Sequence, residues 1–288
     1  MRKADTPRTF SGKMACFCIT LLSYLVAGVG VAVVGYLVLR GLGPLGRGFF
    51  RATPVYGGNT LIQIWFQTVR IFLGAICIAL PLGIGAGIYL SEYAPDSRMM
   101  HNTIDSIIGL AEVPPIVYGL FGWGAFSLYR GLEQVLTVVL LTSGIWLLPR
   151  IVLETYAALQ QVPVSYRRES LALGASPWQT TWRAVLPSAR RQLAIGILQG
   201  MARVSGEVAP IIVIAAEPGL GGDSLTILPY YLYRSIIEFP LGSREAQFAA
   251  ALLLFATSLF LHLIAMLIEI THVTPVLGTE YQEGGRWW

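Results

Sequence analysis

Charged residues are scarce in this chain: Asp, Glu, Lys and Arg together make up 12% of its 288 residues. Soluble domains carry about twice that fraction. Two stretches, residues 14–39 and 246–268, contain no charged residue at all. Each is long enough to cross the hydrocarbon core of a bilayer, which takes about 20 apolar residues in a helix. This pattern excludes a soluble globular domain and predicts a chain embedded in a membrane.

Sequence signals for catalysis, metal binding or nucleic-acid binding are also missing. The three cysteines all lie within apolar runs, which favours helix packing over a disulfide or a metal site. There is no Walker A loop and no His-Glu-x-x-His motif, and the three histidines are not spaced as a ligand set. The net charge of +4 does not indicate nucleic-acid binding, because the basic residues lie mainly between apolar runs. Nothing therefore supports a membrane enzyme.

Six apolar segments are present, and each is predicted to be a helix because backbone polar groups must be satisfied internally in lipid. They cover residues 14–40, 60–91, 103–129, 134–157, 190–216 and 246–272. The first is too long for a signal peptide and lacks a small-residue cleavage pattern. The expected fold class is all-α, with a six-helix membrane domain at 14–272 between a segment at 1–13 and a tail at 273–288.

The distribution of Lys and Arg predicts the orientation of the chain. These residues favour the side of the membrane that holds the N-terminus by about two to one. The positive-inside rule therefore places both termini in the cytoplasm of a multi-pass protein of the cytoplasmic (inner) membrane. The longest cytoplasmic loop is then 158–189, and 217–245 is an outer loop.

The loop 158–189 carries a helix–glycine–helix pattern. Gly174 separates predicted helical stretches at 164–173 and 177–185. The second stretch follows Ser176, which with Pro and Gln at the next and third positions gives a capping box. This pattern favours a folded basic element that docks another protein, with a plain solvated loop as the alternative.

The same loop resembles the cytoplasmic "EAA" loop of ABC importer permeases. The matching residues run from Pro163-Val-Ser-Tyr-Arg-Arg-Glu-Ser-Leu-Ala-Leu-Gly174 to Ala184-Val-Leu-Pro187. In that family the loop forms a coupling helix that sits in a cleft of the ATPase subunit. The resemblance assigns ATPase coupling to Arg168, Glu169 and Ser170, which stand in place of Glu-Ala-Ala, and to the matching Gly174, Leu186 and Pro187.

Three further stretches narrow the resemblance to phosphate-specific permeases of the PstA type. They are Pro81-Leu-Gly-Ile-Gly-Ala-Gly-Ile-Tyr-Leu-Ser-Glu-Tyr-Ala94, Val113-Pro-Pro-Ile-Val-Tyr-Gly-Leu-Phe-Gly122 and Ala202-Arg-Val-Ser-Gly-Glu-Val-Ala-Pro210. The similarity runs from about residue 55 to residue 270.

The resemblance implies a type I ABC importer fold and a set of partners. These are a sister permease in a heterodimer, a dimer of ATPase subunits that binds ATP and Mg, and an extracytoplasmic phosphate-binding protein. No cofactor is expected on this chain itself, and its other contacts are with membrane lipid rather than nucleic acid.

Another oxyanion, such as sulfate or molybdate, remains an alternative, because the binding protein largely selects the substrate. An ion-coupled secondary transporter is the more distant alternative, and such folds often contain an internal repeat that is not visible here.

Arg203 and Glu207 are charged residues within the predicted fifth span, four positions apart on one helical face. A charge at the centre of a membrane helix costs about 2.5–3.5 kcal/mol on insertion scales, so it normally faces a cavity or has a partner. The pair is either a structural ion pair or part of the anion path, where Glu207 would limit how tightly Arg203 holds phosphate. Arg70, which can snorkel to the interface, and Glu112 are weaker path candidates.

Proline and glycine mark possible breaks in two spans. Pro114 and Pro115 interrupt the third span, and unwound backbone is tolerated in a membrane only against protein or a water-filled cavity. They therefore predict either a gate or a simple packing kink. In the fifth span, Gly206 is expected to allow close helix packing and Pro210 to produce a kink.

Overall fold

The computed structural model describes residues 10–48, 60–127, 135–215, 227–238 and 244–270, and all regular structure in these ranges is helical. The helices are α1 Phe10–Gly48, α2 Leu61–Ile88, α3 Arg98–Glu112, α4 Pro115–Gly122, α5 Val135–Gln160, α6 Val164–Ala172, α7 Pro177–Thr180, α8 Leu186–Val204, α9 Ala209–Ala215, α10 Leu228–Tyr233 and α11 Arg244–Ile270. Wide π-helical turns extend four of them, at Tyr89–Tyr93, Trp123–Ser127, Thr181–Val185 and Arg234–Glu238. The all-α prediction is confirmed.

Four segments are long and apolar enough to cross a membrane unaided: Cys16–Gly46, Leu61–Tyr93, Val135–Gln160 and Arg244–Ile270. Their bounds agree with four of the six predicted spans within three residues, except that the first span ends six residues later than predicted. Two further spans are completed only if bent helix pairs are counted as single spans. The predicted number of six is reached when each bent pair is counted as one broken span beside the four continuous ones.

The third and fifth spans are not the continuous helices that hydropathy suggests. The helices Arg98–Glu112 and Pro115–Phe126 meet at 91°, and Pro177–Val204 meets Ala209–Ala215 at 47°. The break that Pro114 and Pro115 predict within the span 103–129 is present, because the two prolines end the α-helical hydrogen bonding there. The helix predicted over 190–216 likewise ends at Val204.

The described part of the chain forms two compact units. The first unit comprises Met1–Gln67 and Thr226–Phe255. Its core contains Leu61, Ile64, Leu228, Tyr231, Ala249 and Ala250. Most of the apolar side chains of α1 remain exposed, including Phe17 at 65% and Tyr24 at 74%. A long apolar helix with little burial in its own chain is suited to contact with lipid.

The second unit comprises Thr68–Leu225 and Ala256–Trp288. Within it, α2 packs closely on α5 through Gly83 and Gly87, which form a G-x-x-x-G pair on one face of α2. A Cβ at Gly83 would lie 2.6 Å from Ile151, and a Cβ at Gly87 would lie 2.6 Å from Thr155. The absence of side chains at these two positions therefore sets the distance between the two helices.

Helix α5 also packs against α8. Ile151 and Leu147 of α5 belong to a buried cluster to which Ile197 and Met201 of α8 contribute. At the start of α8, the guanidinium of Arg191 donates a hydrogen bond of 3.1 Å to the carbonyl of Ile268 and another to the carbonyl of Glu269. These bonds tie Arg191 to carbonyls in the last turn of α11, where a basic side chain is favourable.

Candidate transport site

Arg203 and Glu207 do not share a helical face. Arg203 is the penultimate residue of α8, and Glu207 lies beyond its end in a non-helical connection to α9. Within the ranges that the structure describes, neither side chain forms an ion pair. The expectation of a paired Arg203 and Glu207 on one helix is therefore wrong, because the helix that would align them ends between them.

Glu207 has another contact in this structure. Its carboxylate accepts a hydrogen bond of 3.2 Å from the backbone N–H of Ala209, the first residue of α9. A carboxylate at a helix N-terminus is favourable, because free N–H groups and the helix dipole meet there. Glu207 thus stabilises the start of α9, while the guanidinium of Arg203 is left exposed.

Two hydroxyl groups secure the end of α8. The carbonyl of Ala202 accepts hydrogen bonds from Ser205 at 2.8 Å and from Ser258 of α11 at 3.2 Å. In a continuous α-helix this carbonyl would accept from the N–H four residues later. The hydroxyl groups replace that bond, so this carbonyl is satisfied within the protein, as a membrane requires.

The two helix breaks are linked by direct packing of their short second halves. Helix α4 lies against α9, where a Cβ added to Gly119 would stand 2.7 Å from the backbone of Pro210. About one turn further along α4, Gly122 lies directly against Thr142 of α5. Two glycines therefore allow α4 to fit between α9 and α5.

The elbow of the third span is closed by a hydrogen bond. The hydroxyl of Tyr118 donates to the carbonyl of Leu110 over 2.9 Å, across the bend at Pro114 and Pro115. Glu112, the last residue of α3, is exposed. The predicted helix break is present, and its role as a gate stays a prediction.

Gly206, Pro210 and Arg70 lie in settings that the sequence did not specify. A Cβ at Gly206 would meet nothing within 4 Å, so the expectation that this glycine allows close helix packing is wrong. Pro210 does not kink a continuous helix, since it is the second residue of α9, where a proline fits without loss of a hydrogen bond. Arg70 is exposed on α2.

The predicted coupling loop, residues 158–189, folds as its sequence pattern predicts. Gly174 separates α6 from α7 and has a φ of +84°, in the left-handed region that favours glycine. The hydroxyl of Ser176 accepts from the N–H of Gln179, and the Gln179 side chain accepts from the N–H of Ser176. This reciprocal pair confirms the capping box.

The six predicted coupling residues divide into an outer and an inner set. Arg168, Glu169, Gly174 and Pro187 are exposed. The Ser170 hydroxyl instead lies 2.9 Å from that of Thr180, and Leu186 packs on a buried cluster around Val185. The inner pair therefore holds the loop together, and the exposed residues remain free to meet a partner.

Several exposed aromatic and aliphatic side chains of the loop were not among the predicted coupling residues. Leu173 is 89% exposed, and Trp178 and Trp182 are exposed with ring centroids 5.2 Å apart. Large apolar groups on a polar loop are typical of a protein-contact surface. Tryptophans at consecutive-turn spacing are the sequence signal that could have found them.

An ion pair between the end of α2 and the loop was also missed. Arg167 donates to the carboxylate of Glu92 through Nε at 2.9 Å and Nη2 at 2.7 Å. Glu92 is only 7% exposed. A carboxylate at the end of an apolar span needs a cationic partner. This requirement was the sequence signal that could have indicated an ion pair for Glu92.

A second charged pair lies along the contact between α5 and α8. Arg150 and Glu154 form an ion pair of 3.0 Å, four residues apart on α5. A Cβ at Gly196 of α8 would stand 2.9 Å from Glu154 Oε2, and one at Gly200 would reach the side-chain stem of Arg150 at 4.0 Å. Glycines on α8 thus make room for both charged side chains. The four-residue spacing of Arg150 and Glu154 on α5 was visible in the sequence.

The chain belongs to the family described as binding-protein-dependent transport system inner membrane component, whose model matches residues 49–270. It is therefore the permease subunit of an ABC importer and a multi-pass protein of the inner membrane. In the ranges described, no group of His, Cys, Asp and Glu could hold a metal ion.

Individual relatives agree with this family. The chain is 28% identical over 210 residues to the probable ABC transporter permease protein YqgI of Bacillus subtilis, covering 72% of this chain and 71% of the relative. It is 34% identical over 159 residues to the phosphate transport system permease protein PstA 1 of Mycobacterium tuberculosis H37Rv, covering 55% of this chain and 51% of that one. Phosphate transport system permease protein PstC of Xylella fastidiosa is 28% identical over 254 residues, with 78% and 74% covered.

Solved structures share the fold. A chain of the inward-facing MetNI methionine ABC transporter superposes with a TM-score of 0.60 at 15% identity, covering 74% of this chain and 96% of that one. A chain of a bacterial ABC transporter involved in import of the acidic polysaccharide alginate gives 0.58 at 14% identity, with 90% and 100% covered. At these identities the likeness concerns the fold alone.

Proposed function

We propose that this chain is one half of the membrane pathway of an ATP-driven importer of inorganic phosphate. The observation that carries the proposal is Arg203, an exposed cation at the end of α8, next to a helix break and without a carboxylate partner in the described ranges. Relatives named as phosphate transport system permeases support the same substrate.

The break at 205–208 gives Arg203 the chemistry that an anion path needs. Because the Glu207 carboxylate binds the N–H of Ala209, the charge of Arg203 is not neutralised by it. A guanidinium offers several donors in a fork that matches the oxygens of phosphate. One exposed cation binds weakly enough for release, which a transit site requires.

The coupling loop supplies the mechanical input in this proposal. Both termini and the loop 158–189 lie in the cytoplasm, where exposed Leu173, Trp178 and Trp182 meet an ATPase subunit. Closure of the ATPase dimer on ATP and Mg pushes the loop, and α5 and α8, joined to its two ends, carry the push to the bent pairs. The gate at Pro114, Pro115 and Pro210 then alternates between outward and inward access.

The remaining partners follow from the same proposal. A sister permease completes the pathway as a heterodimer, and an extracytoplasmic phosphate-binding protein delivers the anion. This chain holds no cofactor of its own and contributes the path and the coupling surface. Phosphate is the proposed anion, and sulfate is the competitor that the experiment includes.

Transport by the assembled complex tests the anion path. Arg203→Gln keeps an unbranched polar side chain and removes its charge, so phosphate uptake into proteoliposomes should fall by roughly ten- to hundredfold, the value of one charged hydrogen-bond partner. Arg190→Gln is the matched control, because Arg190 is exposed near the start of the same helix. Normal uptake by Arg203→Gln, with both variants equally well assembled, would contradict the proposal.

A further inference from the structure

Three consecutive residues at the end of α2 contact three different parts of the cytoplasmic loop. Ser91 Oγ accepts a hydrogen bond of 3.4 Å from Gln160, the last residue of α5. Glu92 binds Arg167 of α6, and the Tyr93 hydroxyl donates to Thr181 over 3.2 Å. The segment Ser91–Tyr93 is therefore the place where α2 is attached to the loop.

The bond between Glu92 and Arg167 dominates this attachment. The guanidinium forms two parallel bonds to the carboxylate, at 2.9 and 2.7 Å, which is the strongest geometry for such a pair. The hydroxyl of Ser91 also donates to Glu92 Oε1 at 2.8 Å and fixes the carboxylate. The side chains of Glu92 and Arg167 are 7% and 21% exposed, so water screens the pair only partly.

Arg167 simultaneously holds the end of α5. Its Nη1 donates to the carbonyl of Val162 at 2.8 Å and its Nη2 to that of Leu159 at 2.9 Å. All three nitrogens of the guanidinium are thus in use, two of them on Glu92. The hydrogen-bonded carboxylate of Glu92 raises the pKa of Arg167 above its ordinary value, so the charge persists at any working pH.

The chain connectivity shows why these side-chain contacts matter for transmitting motion to α2. The loop is joined covalently to α5 and α8, whereas α2 reaches it only through side chains. We infer that Glu92 and Arg167 are positioning residues that make α2 a third helix driven by the coupling loop. The inference rests on the proposed function of the loop.

The residue types fit this role better than a role in helix capping alone. A lysine could cap the carbonyls of Leu159 and Val162, but it could not bind them and both carboxylate oxygens in a fixed plane. Arg167→Lys should therefore keep the loop folded and still loosen α2. A cap without mechanical function would tolerate this change.

Hydrogen exchange of the intact complex, with and without a non-hydrolysable ATP analogue, tests the inference directly. In the wild type, nucleotide should change the exchange of residues 164–172 and of residues 86–93. In Glu92→Gln and Arg167→Lys, the change should persist at 164–172 and vanish at 86–93. Asp105→Asn, an exposed carboxylate on α3, is the matched control and should behave as the wild type.

Phosphate uptake per ATP hydrolysed gives the second readout. It should fall about tenfold in Glu92→Gln and Arg167→Lys while ATP hydrolysis continues, since an uncoupled loop still permits closure of the ATPase. In Glu92→Asp, which keeps the charge, uptake per ATP hydrolysed should fall less. This variant replaces Glu92→Gln in the experiment if Glu92→Gln assembles poorly. A nucleotide response at 86–93 that persists in Glu92→Gln and Arg167→Lys would overturn the inference. A wild-type complex that moves no phosphate would count against the proposed substrate, and the exchange result would still decide the role of α2.

Discussion

At the scale of single residues, Gly174 has the most specific requirement in the coupling loop. Its φ of +84° places it in the left-handed region, and nothing lies within 4 Å of the position a Cβ would take. The constraint is thus conformational and not one of space. Asparagine adopts this region far more easily than a β-branched residue does.

This contrast yields a prediction for two substitutions of Gly174. Gly174→Val should destabilise the turn conformation by about 1–2 kcal/mol. ATP hydrolysis should then continue while phosphate uptake falls. Gly174→Asn should retain most uptake, because its backbone can keep the same φ. Uptake and ATP hydrolysis in the assembled complex measure both effects. Equal uptake by the two variants would show that the turn conformation does not matter.

Single residues also show the limit of sequence patterns. The four-residue spacing of Arg203 and Glu207 predicts a pair only if the helix continues. The helix instead ends at Val204, just before Gly206, which together with Pro210 marked a possible break in this span. Glu92 and Arg167 stand 75 positions apart, so only the fold brings them together. The capping box at Ser176 was predictable because every group in it is local.

At the scale of elements, glycine positions decide which helices approach each other. On α2, Gly83 faces Ile151 of α5, whereas Gly85 faces open space. The two positions have the same helix propensity and differ only in what surrounds them. They therefore separate the effect of packing from the effect of losing a glycine.

Valine at each of these positions gives a matched pair. Gly83→Val should lower the free energy of unfolding by about 1–3 kcal/mol, the usual cost of overpacking a well-packed contact. Gly85→Val should leave it nearly unchanged. Unfolding in a denaturing detergent titration measures both, and equal destabilisation would contradict the close packing of α2 on α5.

Hydropathy located the spans well because lipid sets their length and composition. It could not locate the breaks at 112–115 and 204–209, since both sides of each break are apolar. Pro114 and Pro115 signalled the first break, but neither the 91° bend nor the contact of Gly119 with Pro210 follows from them. These features depend on how distant segments pack.

At the scale of the whole molecule, the chain has surfaces that only other molecules can cover. The apolar residues of α1 face outward and suit lipid, while Leu173, Trp178 and Trp182 give the coupling loop an apolar surface suited to protein. Both features agree with a subunit that works within a larger importer.

Substrate-dependent uptake by that importer is the most direct measurement of the central claim. The chain, purified from its own membranes with its associated subunits and reconstituted with ATP inside the vesicles, should accumulate labelled phosphate against a gradient. Unlabelled phosphate should compete with the labelled phosphate for uptake. Sulfate in roughly tenfold excess should not, since a tenfold difference in affinity corresponds to only about 1.4 kcal/mol. ATP-driven uptake of sulfate in place of phosphate, or no ATP-driven uptake of either anion, would contradict the account.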